Sequence, residues 1–136
     1  MEFTIRRGNR GDIHNMLSLW TEAEAVEGVT DNAESIELLL ARDPDALIVA
    51  EVDGRLAGTL IAGWDGWRGG FYRLAVRPAY QRHGIARALV EEGERRLRAL
   101  GARRISAIVM HAHDHATGFW DEAGYERDAR AVRYVK

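Results

Sequence analysis

Residues 74–100, LAVRPAYQRHGIARALVEEGERRLRAL, constrain the fold more than any other stretch of this chain. They predict a short apolar strand, a turn at Pro78, a basic loop and a long amphipathic helix. Apolar residues recur with helical spacing at Ile85, Leu89, Leu97 and Leu100. Gly101 follows where a left-handed C-terminal cap is favoured. We therefore interpret the rest of the chain as a scaffold around this stretch.

The start of the predicted helix carries cations where a helix disfavours them. Free N–H groups and the helix dipole make a helix N-terminus positive, which disfavours nearby cations by ~0.3–1 kcal/mol each. No acid occurs between Gln81 and Glu91, yet the first turn is surrounded by Gln81, Arg82, His83 and Arg87. An anionic ligand explains this pattern, and Gly84 and the small Ala86 allow the backbone to approach it closely. The alternative is that Arg82 and Arg87 are solvated surface residues.

Composition excludes several classes of protein. The 136 residues suit a single domain over 1–136, and the formal charge of −2 gives no general attraction to nucleic acid. The absence of cysteine excludes disulfides, a thiolate metal site and a cysteinyl acyl-enzyme. No apolar run approaches the ~20 residues of a membrane span, and residues 1–10 lack a signal-peptide core. We therefore expect a cytoplasmic protein that binds neither nucleic acid nor membrane.

The first third of the chain predicts one strand and two helices. Alternation over Phe3–Arg6 indicates the strand. Asn9 is the candidate N-cap of the first helix and Asn32 that of the second, which Pro44 ends. The apolar stripe of the first helix, which we interpret as core, consists of Ile13, Met16, Leu17, Trp20 and Ala23. The second helix carries Ile36, Leu39 and Leu40.

Three further strands are predicted in the middle of the chain. Ala46–Val52 and Leu56–Ala62 are joined by Asp53-Gly54, a dipeptide typical of a tight hairpin turn. Phe71–Val76 is the predicted central strand. Between them, residues 63–70 (GWDGWRGG) are too rich in glycine for a strand interior and predict a loop. Its two tryptophans and its acid either pack at the surface or form part of a pocket for a cationic amine.

The C-terminal third predicts another strand over Arg104–His111, buried on both faces. On an extended chain one face would be shared by His111, His113 and His115. Because no carboxylate partner is fixed by spacing, we predict no metal site. A terminal hairpin is predicted over Tyr125–Val135, turning at Asp128–Arg130.

Two motifs resemble those of the GNAT family of N-acetyltransferases. The family's acyl-CoA pyrophosphate loop, Q/R-x-x-G-x-G/A, is filled here by Gln81, Arg82, His83, Gly84, Ile85 and Ala86. The family's later motif, N-x-x-A-x-x-F-Y-x-x-x-G-F, is met at Ala116, Phe119, Gly124 and Tyr125. Two positions depart from it, since His113 replaces the asparagine and Trp120 replaces the tyrosine. The specific motifs cover residues 74–89 and 113–125, within a resemblance that spans essentially the whole chain.

The resemblance implies an α/β (α+β) fold, with a mixed, mostly antiparallel sheet flanked by four helices in the order β-α-α-β-β-β-α-β-α-β. It implies a V-shaped splay between the central strands and a bulge in the strand 71–76. There the backbone N–H of Leu74 would face the acetyl carbonyl, and Leu74, Ala75 and Val76 would line the pantetheine arm. The pyrophosphate would bind the loop from Gln81 to Arg87. In this family the first two helices line the acceptor side of the cleft.

The implied function is transfer of an acetyl group from acetyl-CoA, the co-substrate, directly to an amine. We predict a ternary complex, because the chain has no cysteine and no serine in a nucleophile-elbow setting. The acceptor is a small molecule or a peptide, which the sequence does not specify, and the protein is a monomer or a homodimer. The alternative is a non-catalytic module that binds acyl-CoA.

The resemblance also implies roles for three side chains. Tyr72 stands where many relatives have glutamate and is predicted to relay a proton through water, because a phenol is a poor base near neutral pH. His113 is predicted to face the cofactor and is the second candidate for proton transfer. Trp120 stands where the family often has the tyrosine that protonates the departing thiolate. Since an indole cannot release its proton near neutral pH, we predict that Trp120 contacts the pantetheine arm instead.

Overall fold

The computed structural model describes residues 1–23, 28–109 and 114–136. Within these ranges the chain forms β1 (Thr4–Arg7), α1 (Ile13–Glu22), α2 (Ala33–Arg42), β2 (Leu47–Val52), β3 (Arg55–Trp64), β4 (Gly69–Val76), α3 (Ile85–Leu100), β5 (Ile105–Ala107) and α4 (Asp114–Glu122). Short 3-10 helices occur at Arg10–Asp12 and Pro78–Tyr80.

The described strands form one sheet in the order β1-β2-β3-β4-β5. Neighbouring strands from β1 to β4 are antiparallel, whereas β4 and β5 are parallel. Parallel neighbours need a crossover connection, and α3 supplies it. The predicted fold class, a mixed and mostly antiparallel sheet with four helices in the described ranges, is therefore confirmed.

Helices cover both faces of the sheet. Along β2, Leu47 and Val49 belong to the apolar cluster that packs on α1 and α2. Ile48 and Ala50 belong to the cluster that contains the buried residues of α3 and Trp120 of α4. Burial on both faces explains why β2 is almost continuously apolar rather than alternating.

The predicted helix caps are confirmed, with one shift. The side chain of Asn32 accepts a hydrogen bond from the backbone N–H of Ser35 at 2.9 Å and caps α2. Asn9 caps the short 3-10 helix that runs into α1, and its own N–H is bound by the Asp12 carboxylate at 2.9 Å. These side chains satisfy N–H groups that a helix N-terminus leaves without partners.

Glycines bring α3 close to the sheet. A Cβ added to Gly93 of α3 would lie 2.6 Å from Cε1 of Phe71, and one added to Gly69 would lie 2.6 Å from Cδ1 of Leu97. Both distances are shorter than real carbon contacts. The helix therefore occupies a position that larger residues at Gly69 and Gly93 would prevent.

The predicted loop over residues 63–70 is wrong at both of its ends, and only residues 65–68 lie outside strands. β3 continues to Trp64 and β4 begins at Gly69, so that Gly63 and Gly70 pair across a hairpin. The missing side chains are replaced by neighbours, because Leu97 covers Gly69 and the ring of Tyr72 lies over Gly70. Glycine is tolerated inside these strands for that reason.

The predicted strand over Arg104–His111 is also too long. Of residues 104–109, which the structure describes, Ile105–Ala107 forms β5, the last strand of the described sheet. Ser106 is exposed, and Ile108 is 53% exposed, so the expected burial on both faces is wrong. The edge position explains this exposure. His111 and His113 lie outside the described residues.

The predicted terminal hairpin is wrong, since no strand occurs within residues 114–136. The side chain of Asp128 accepts a hydrogen bond from the backbone N–H of Arg130 at 3.0 Å, which makes a local turn. Val132 and Tyr134 are 79% and 93% exposed. Their alternation with polar residues is typical of a strand, but they bury no face here. No helix in the described ranges is long and apolar enough to cross a membrane.

Candidate active site

The sheet opens between β4 and β5. These strands pair only at Gly69–Ile105, Gly70–Ser106 and Phe71–Ala107. Beyond Phe71, this side of β4 pairs with no strand in the described part of the chain. The opening therefore runs along Tyr72–Val76, and the predicted splay between the central strands is confirmed.

A bulge in β4 lies beside the opening. Thr59 pairs with Ala75 and Ile61 pairs with Tyr72, so β4 has one residue more than β3 over this interval. Arg73, within the bulge, has a left-handed backbone with a φ of 55°. Such a φ is uncommon outside glycine. The bulge predicted for the strand 71–76 is therefore confirmed and lies at Arg73 and Leu74.

Arg73 is held by polar contacts that the sequence did not predict. Trp20 Nε1 donates to Thr59 Oγ1 at 2.9 Å, and Thr59 Oγ1 donates to the backbone oxygen of Arg73 at 2.9 Å. The Arg73 guanidinium donates from Nε to Asp31 Oδ1 at 2.8 Å and also binds Oδ2 through Nη2. The one sequence feature that could have indicated these contacts is the hydroxyl of Thr59 among the apolar residues and glycines that follow Arg55 in β3.

The loop before α3 presents an uncapped helix N-terminus. Arg82 and Gly84 both have left-handed backbones, and Gly84 occupies the N-cap with no side chain to cap the helix. The first helical bond runs from the Ala88 N–H to the Gly84 oxygen at 3.0 Å, so the three preceding N–H groups have no acceptor within the helix. No acidic residue occurs in the first turn. This is the geometry of an anion-binding helix start.

The predicted cofactor residues other than His113 and Trp120 lie at the end of β4, in the loop that leads into α3 and in the first turn of α3. Exposed positions of the loop are Gln81, Arg82, His83, Gly84 and Arg87. Gln81 Nε2 donates to the backbone oxygen of Val76 at 3.0 Å, which ties the loop to the end of β4. The side chains of Ala75, Val76 and Ile85 are buried in the core. Only the backbone of these three residues is therefore available to a ligand.

Trp120 is a core residue of α4. Its side chain is 9% exposed and stacks on Phe71, with ring centroids 6.0 Å apart and planes 24° from parallel. Tyr125 meets it edge-on at 4.9 Å. Most of the indole surface is thus occupied by protein, and contact with pantetheine stays a prediction. Tyr125 in turn donates from its hydroxyl to Glu94 Oε2 at 2.6 Å.

Tyr72 lines a pocket on the surface of the sheet. The pocket has a volume of about 380 Å³, and its polar lining includes Asp65, Arg68 and Ser106. Tyr72 is 52% exposed, and its hydroxyl lies 3.1 Å from where a Cβ on Gly70 would stand. The tyrosine ring therefore lies over glycine and is open to solvent.

The turn between β3 and β4 supplies the charge at this pocket. Hydrogen bonds from the backbone N–H groups of Arg68 and Trp67 hold the pKa of Asp65 below its usual value, so the carboxylate is charged at neutral pH. Trp64 lines the pocket, whereas Trp67 is 70% exposed and carries the Arg68 guanidinium 4.1 Å from its ring centroid. One of the two predicted tryptophans thus faces the pocket.

The predicted role of His113 falls outside the described residues and stays a prediction. Over residues 1–23, 28–109 and 114–136, no three side chains of histidine, cysteine, aspartate or glutamate converge on a point that would hold a metal ion.

Comparison with known proteins identifies the family. The sequence model of the Acetyltransferase (GNAT) family matches residues 13–125. An acetyltransferase of Pectobacterium atrosepticum is 34% identical over 122 residues, covering 90% of this chain and 86% of that protein. Ard1 from Thermoplasma volcanium has a TM-score of 0.85 at 19% identity, covering 95% of this chain and 86% of the other. The aminoglycoside N-acetyltransferase AAC(6')-Iy, in complex with CoA, has a TM-score of 0.76 at 18% identity, covering 99% and 95%.

This chain has a mixed sheet that opens beside a bulged central strand and is followed by an uncapped helix, and it shares its overall fold with these two acetyltransferase structures. The chain belongs to the acetyltransferase (GNAT) family. The resemblance predicted from the sequence is thus confirmed, and with it the class of enzyme, an acetyl-CoA-dependent N-acetyltransferase.

Proposed function

We propose that this protein transfers the acetyl group of acetyl-CoA directly to the amine of a small molecule. The proposal rests on one observation: the opening beside β4 is adjacent to the uncapped start of α3, which follows β4 in the chain. The strand leaves β5 after Phe71 and then runs through its bulge into the loop that starts α3. A thioester along the opening and a pyrophosphate at the helix N-terminus would be bound by one stretch of chain.

The pyrophosphate is assigned to the start of α3. The N–H groups of Ile85, Ala86 and Arg87 would donate to its oxygens, and the guanidinium groups of Arg82 and Arg87 would balance its charge. The pantetheine arm would follow the backbone of Leu74–Val76 along the opening. The acetyl carbonyl would then lie at the bulge, where the Leu74 N–H is the candidate oxyanion donor.

The reaction needs no covalent intermediate on the protein. The neutral amine attacks the thioester carbon, a C–N bond forms, and the C–S bond breaks as the carbonyl reforms. The amine nitrogen loses one proton and the CoA thiolate gains one. Tyr72, exposed beside the pocket and two residues before Leu74, is the candidate relay through water, with His113 as the second. Binding the two substrates in the correct orientation would supply most of the rate acceleration that proton transfer does not.

The acceptor is assigned to the pocket over Tyr72. Its volume of about 380 Å³ suits a small molecule, and the charged Asp65 and the aromatic ring of Tyr72 would bind an acceptor amine, while the Arg68 guanidinium of the same lining lies over the Trp67 ring. An aminoglycoside N-acetyltransferase among the structural neighbours has an acceptor of this kind.

The test is release of free thiol from acetyl-CoA in the presence of a panel of amines, including monoamines, diamines and aminoglycosides. We expect thiol release that depends on an amine and yields the acetylated amine by mass spectrometry. Intersecting initial-velocity lines and the absence of an acetylated protein are expected for direct transfer. Tight binding of acetyl-CoA without transfer to any amine would instead identify a non-catalytic acyl-CoA-binding module.

A further inference from the structure

Arg73 is held at its backbone oxygen and at its guanidinium group. Thr59 is fully buried (0% exposed), and its hydroxyl donates to the Arg73 oxygen while accepting from Trp20 Nε1. The Arg73 guanidinium binds both oxygens of Asp31 and lies 5.7 Å from the centroid of the Trp20 ring. Asp31 is itself fixed, because it accepts the Gly28 N–H at 2.8 Å.

These contacts fix a peptide group as well as a side chain. The Arg73 oxygen and the Leu74 N–H belong to one planar peptide group, and the described residues contain no cis peptide bond. In a trans peptide the C=O and N–H bonds point in opposite directions. Thr59 lies on β3, so the Arg73 oxygen points toward β3 and the Leu74 N–H points to the other side of β4. That side is the opening between β4 and β5.

We propose that Thr59, Trp20 and Asp31 are positioning residues that hold Arg73 in its left-handed conformation and thereby aim the Leu74 N–H into the opening. The catalytic part of this inference rests on the proposed function, in which that N–H stabilises the oxyanion. The left-handed backbone of a non-glycine residue is strained by ~1–2 kcal/mol, so it persists only where surrounding contacts determine it.

The network also joins α1 and the segment before α2 to β4. Asp31 belongs to the segment before α2, and Trp20 belongs to α1, whereas Arg73 belongs to the strand that borders the opening. A change in the segment around Asp31 therefore reaches the orientation of the Leu74 amide through one ion pair.

The test compares Thr59→Val, which removes the hydroxyl at nearly constant shape, with Thr59→Ser, which keeps it. Thr4→Val is the matched control, because Thr4 is an exposed threonine of β1, the edge strand farthest from β5. If Thr59→Val folds poorly, Asp31→Asn weakens the other support of Arg73, the ion pair with its guanidinium. The readouts are the ¹⁵N order parameter of the Leu74 amide without substrate, the kcat and KM for acetyl-CoA, and the melting temperature.

We expect the Leu74 order parameter to fall in Thr59→Val from the rigid range near ~0.85 toward ~0.6. The kcat should fall by about 10- to 100-fold with the KM for acetyl-CoA nearly constant, as for a misaimed oxyanion donor. Thr59→Ser should restore both quantities, and Thr4→Val should change neither.

A lower melting temperature with an unchanged order parameter and an unchanged kcat would reduce the network to a purely structural role and overturn the proposal. A mobile Leu74 amide with normal kcat would overturn its catalytic part. If the wild-type protein transferred acetyl to no amine, the proposed function would fail, and the order parameter alone would still decide whether Thr59 positions the amide.

Discussion

Gly84 and Gly101 stand at opposite ends of α3 with the same left-handed backbone, with a φ of +85° at Gly84 and +107° at Gly101. An added Cβ would meet no atom within 4 Å at either position. Any other residue therefore experiences similar backbone strain at both ends and no direct clash. The same substitution at the two glycines should cost similar backbone strain, but only the one at Gly84 should affect the proposed ligand site.

We predict that Gly84→Glu weakens CoA binding by about 100-fold or more, because a like charge placed against the pyrophosphate costs several kcal/mol. Isothermal titration calorimetry measures the change. Gly101→Glu is the matched control and should lower stability to a similar degree while leaving CoA affinity intact. Equal weakening in both variants, or none in folded Gly84→Glu, would contradict the assignment of the pyrophosphate to this loop.

Tyr72→Phe tests the proton relay. The hydroxyl is solvent-exposed at the pocket, so its removal should leave the fold and CoA affinity unchanged. We expect kcat to fall by about 10²-fold, the lower end of the range for a general acid or base. Stopped-flow thiol release measures the rate, and calorimetry measures the affinity. An unaffected rate would transfer the proton role to water alone or to His113.

Trp120→Ala tests the place of the indole in the core. The ring is 9% exposed and packs on Phe71 and Tyr125, so its truncation should lower the free energy of unfolding by about 3–5 kcal/mol. Trp120→Phe keeps most of the ring contacts and should lose much less. Urea denaturation of the wild type, Trp120→Ala and Trp120→Phe measures these differences in the free energy of unfolding. A loss below ~1 kcal/mol for Trp120→Ala would show that the indole is not packed as described.

Tyr125 predicts a pH dependence of stability on the alkaline side. Burial, together with the hydrogen bond to Glu94, raises the pKa of Tyr125 above its ordinary value of 10.0. Above that pH the unfolded chain loses the phenol proton while the folded chain retains it, so this contribution is intact below about pH 10 and falls as the pH rises. The slope stays below the ~1.4 kcal/mol per pH unit of one full proton, because Tyr125 is only partly buried and solvent screens its interactions. Urea denaturation from pH 8 to 11 should show a shallower decline in Tyr125→Phe than in the wild type.

Gly93→Ala should destabilise the protein although alanine is the better helix former. The new Cβ would lie 2.6 Å from Cε1 of Phe71 and 3.0 Å from Cδ2 of Leu60. Overpacking of this kind costs about 1–3 kcal/mol, more than the ~1 kcal/mol gained in helix propensity. Gly118→Ala in α4 is the control, because an added Cβ there meets nothing within 4 Å. Thermal denaturation should show opposite shifts for the two variants.

Local patterns predicted the elements whose causes are local. The spacing of Ile85 and Leu89 predicted α3, and Gly101 predicted the left-handed cap that ends it. The strand extensions at Gly63 and Gly70 were missed, because composition does not reveal that the Tyr72 ring covers the gap left by a missing side chain. The alternation at Val132 and Tyr134 gave a wrong strand prediction, because an apolar face is buried only where another element covers that face.

The contacts around the bulge were missed for a different reason. The hydrogen bond from Trp20 to Thr59 joins residues 39 apart in the sequence, and the ion pair of Arg73 with Asp31 joins residues 42 apart. No spacing rule connects such positions, and only the packing of α1 on the sheet brings them together. The bulge itself was predicted from the family resemblance, whereas the side chains that hold it required the structure.

The crossover from β4 through α3 to β5 separates the residues proposed to bind acetyl-CoA from those proposed to select the acceptor. Apart from His113 and Trp120, the proposed cofactor contacts fall on the segment from Leu74 to Arg87, whereas the pocket walls come from the end of β3, the β3–β4 turn, the first residues of β4, and Ser106 and Ile108. Substitutions in the turn 65–68 can therefore alter acceptor choice while the cofactor segment keeps its sequence. Under the proposed function, acetyl-CoA and the acceptor are therefore bound by different segments of the chain, and the acceptor segments can change without changing the cofactor segment.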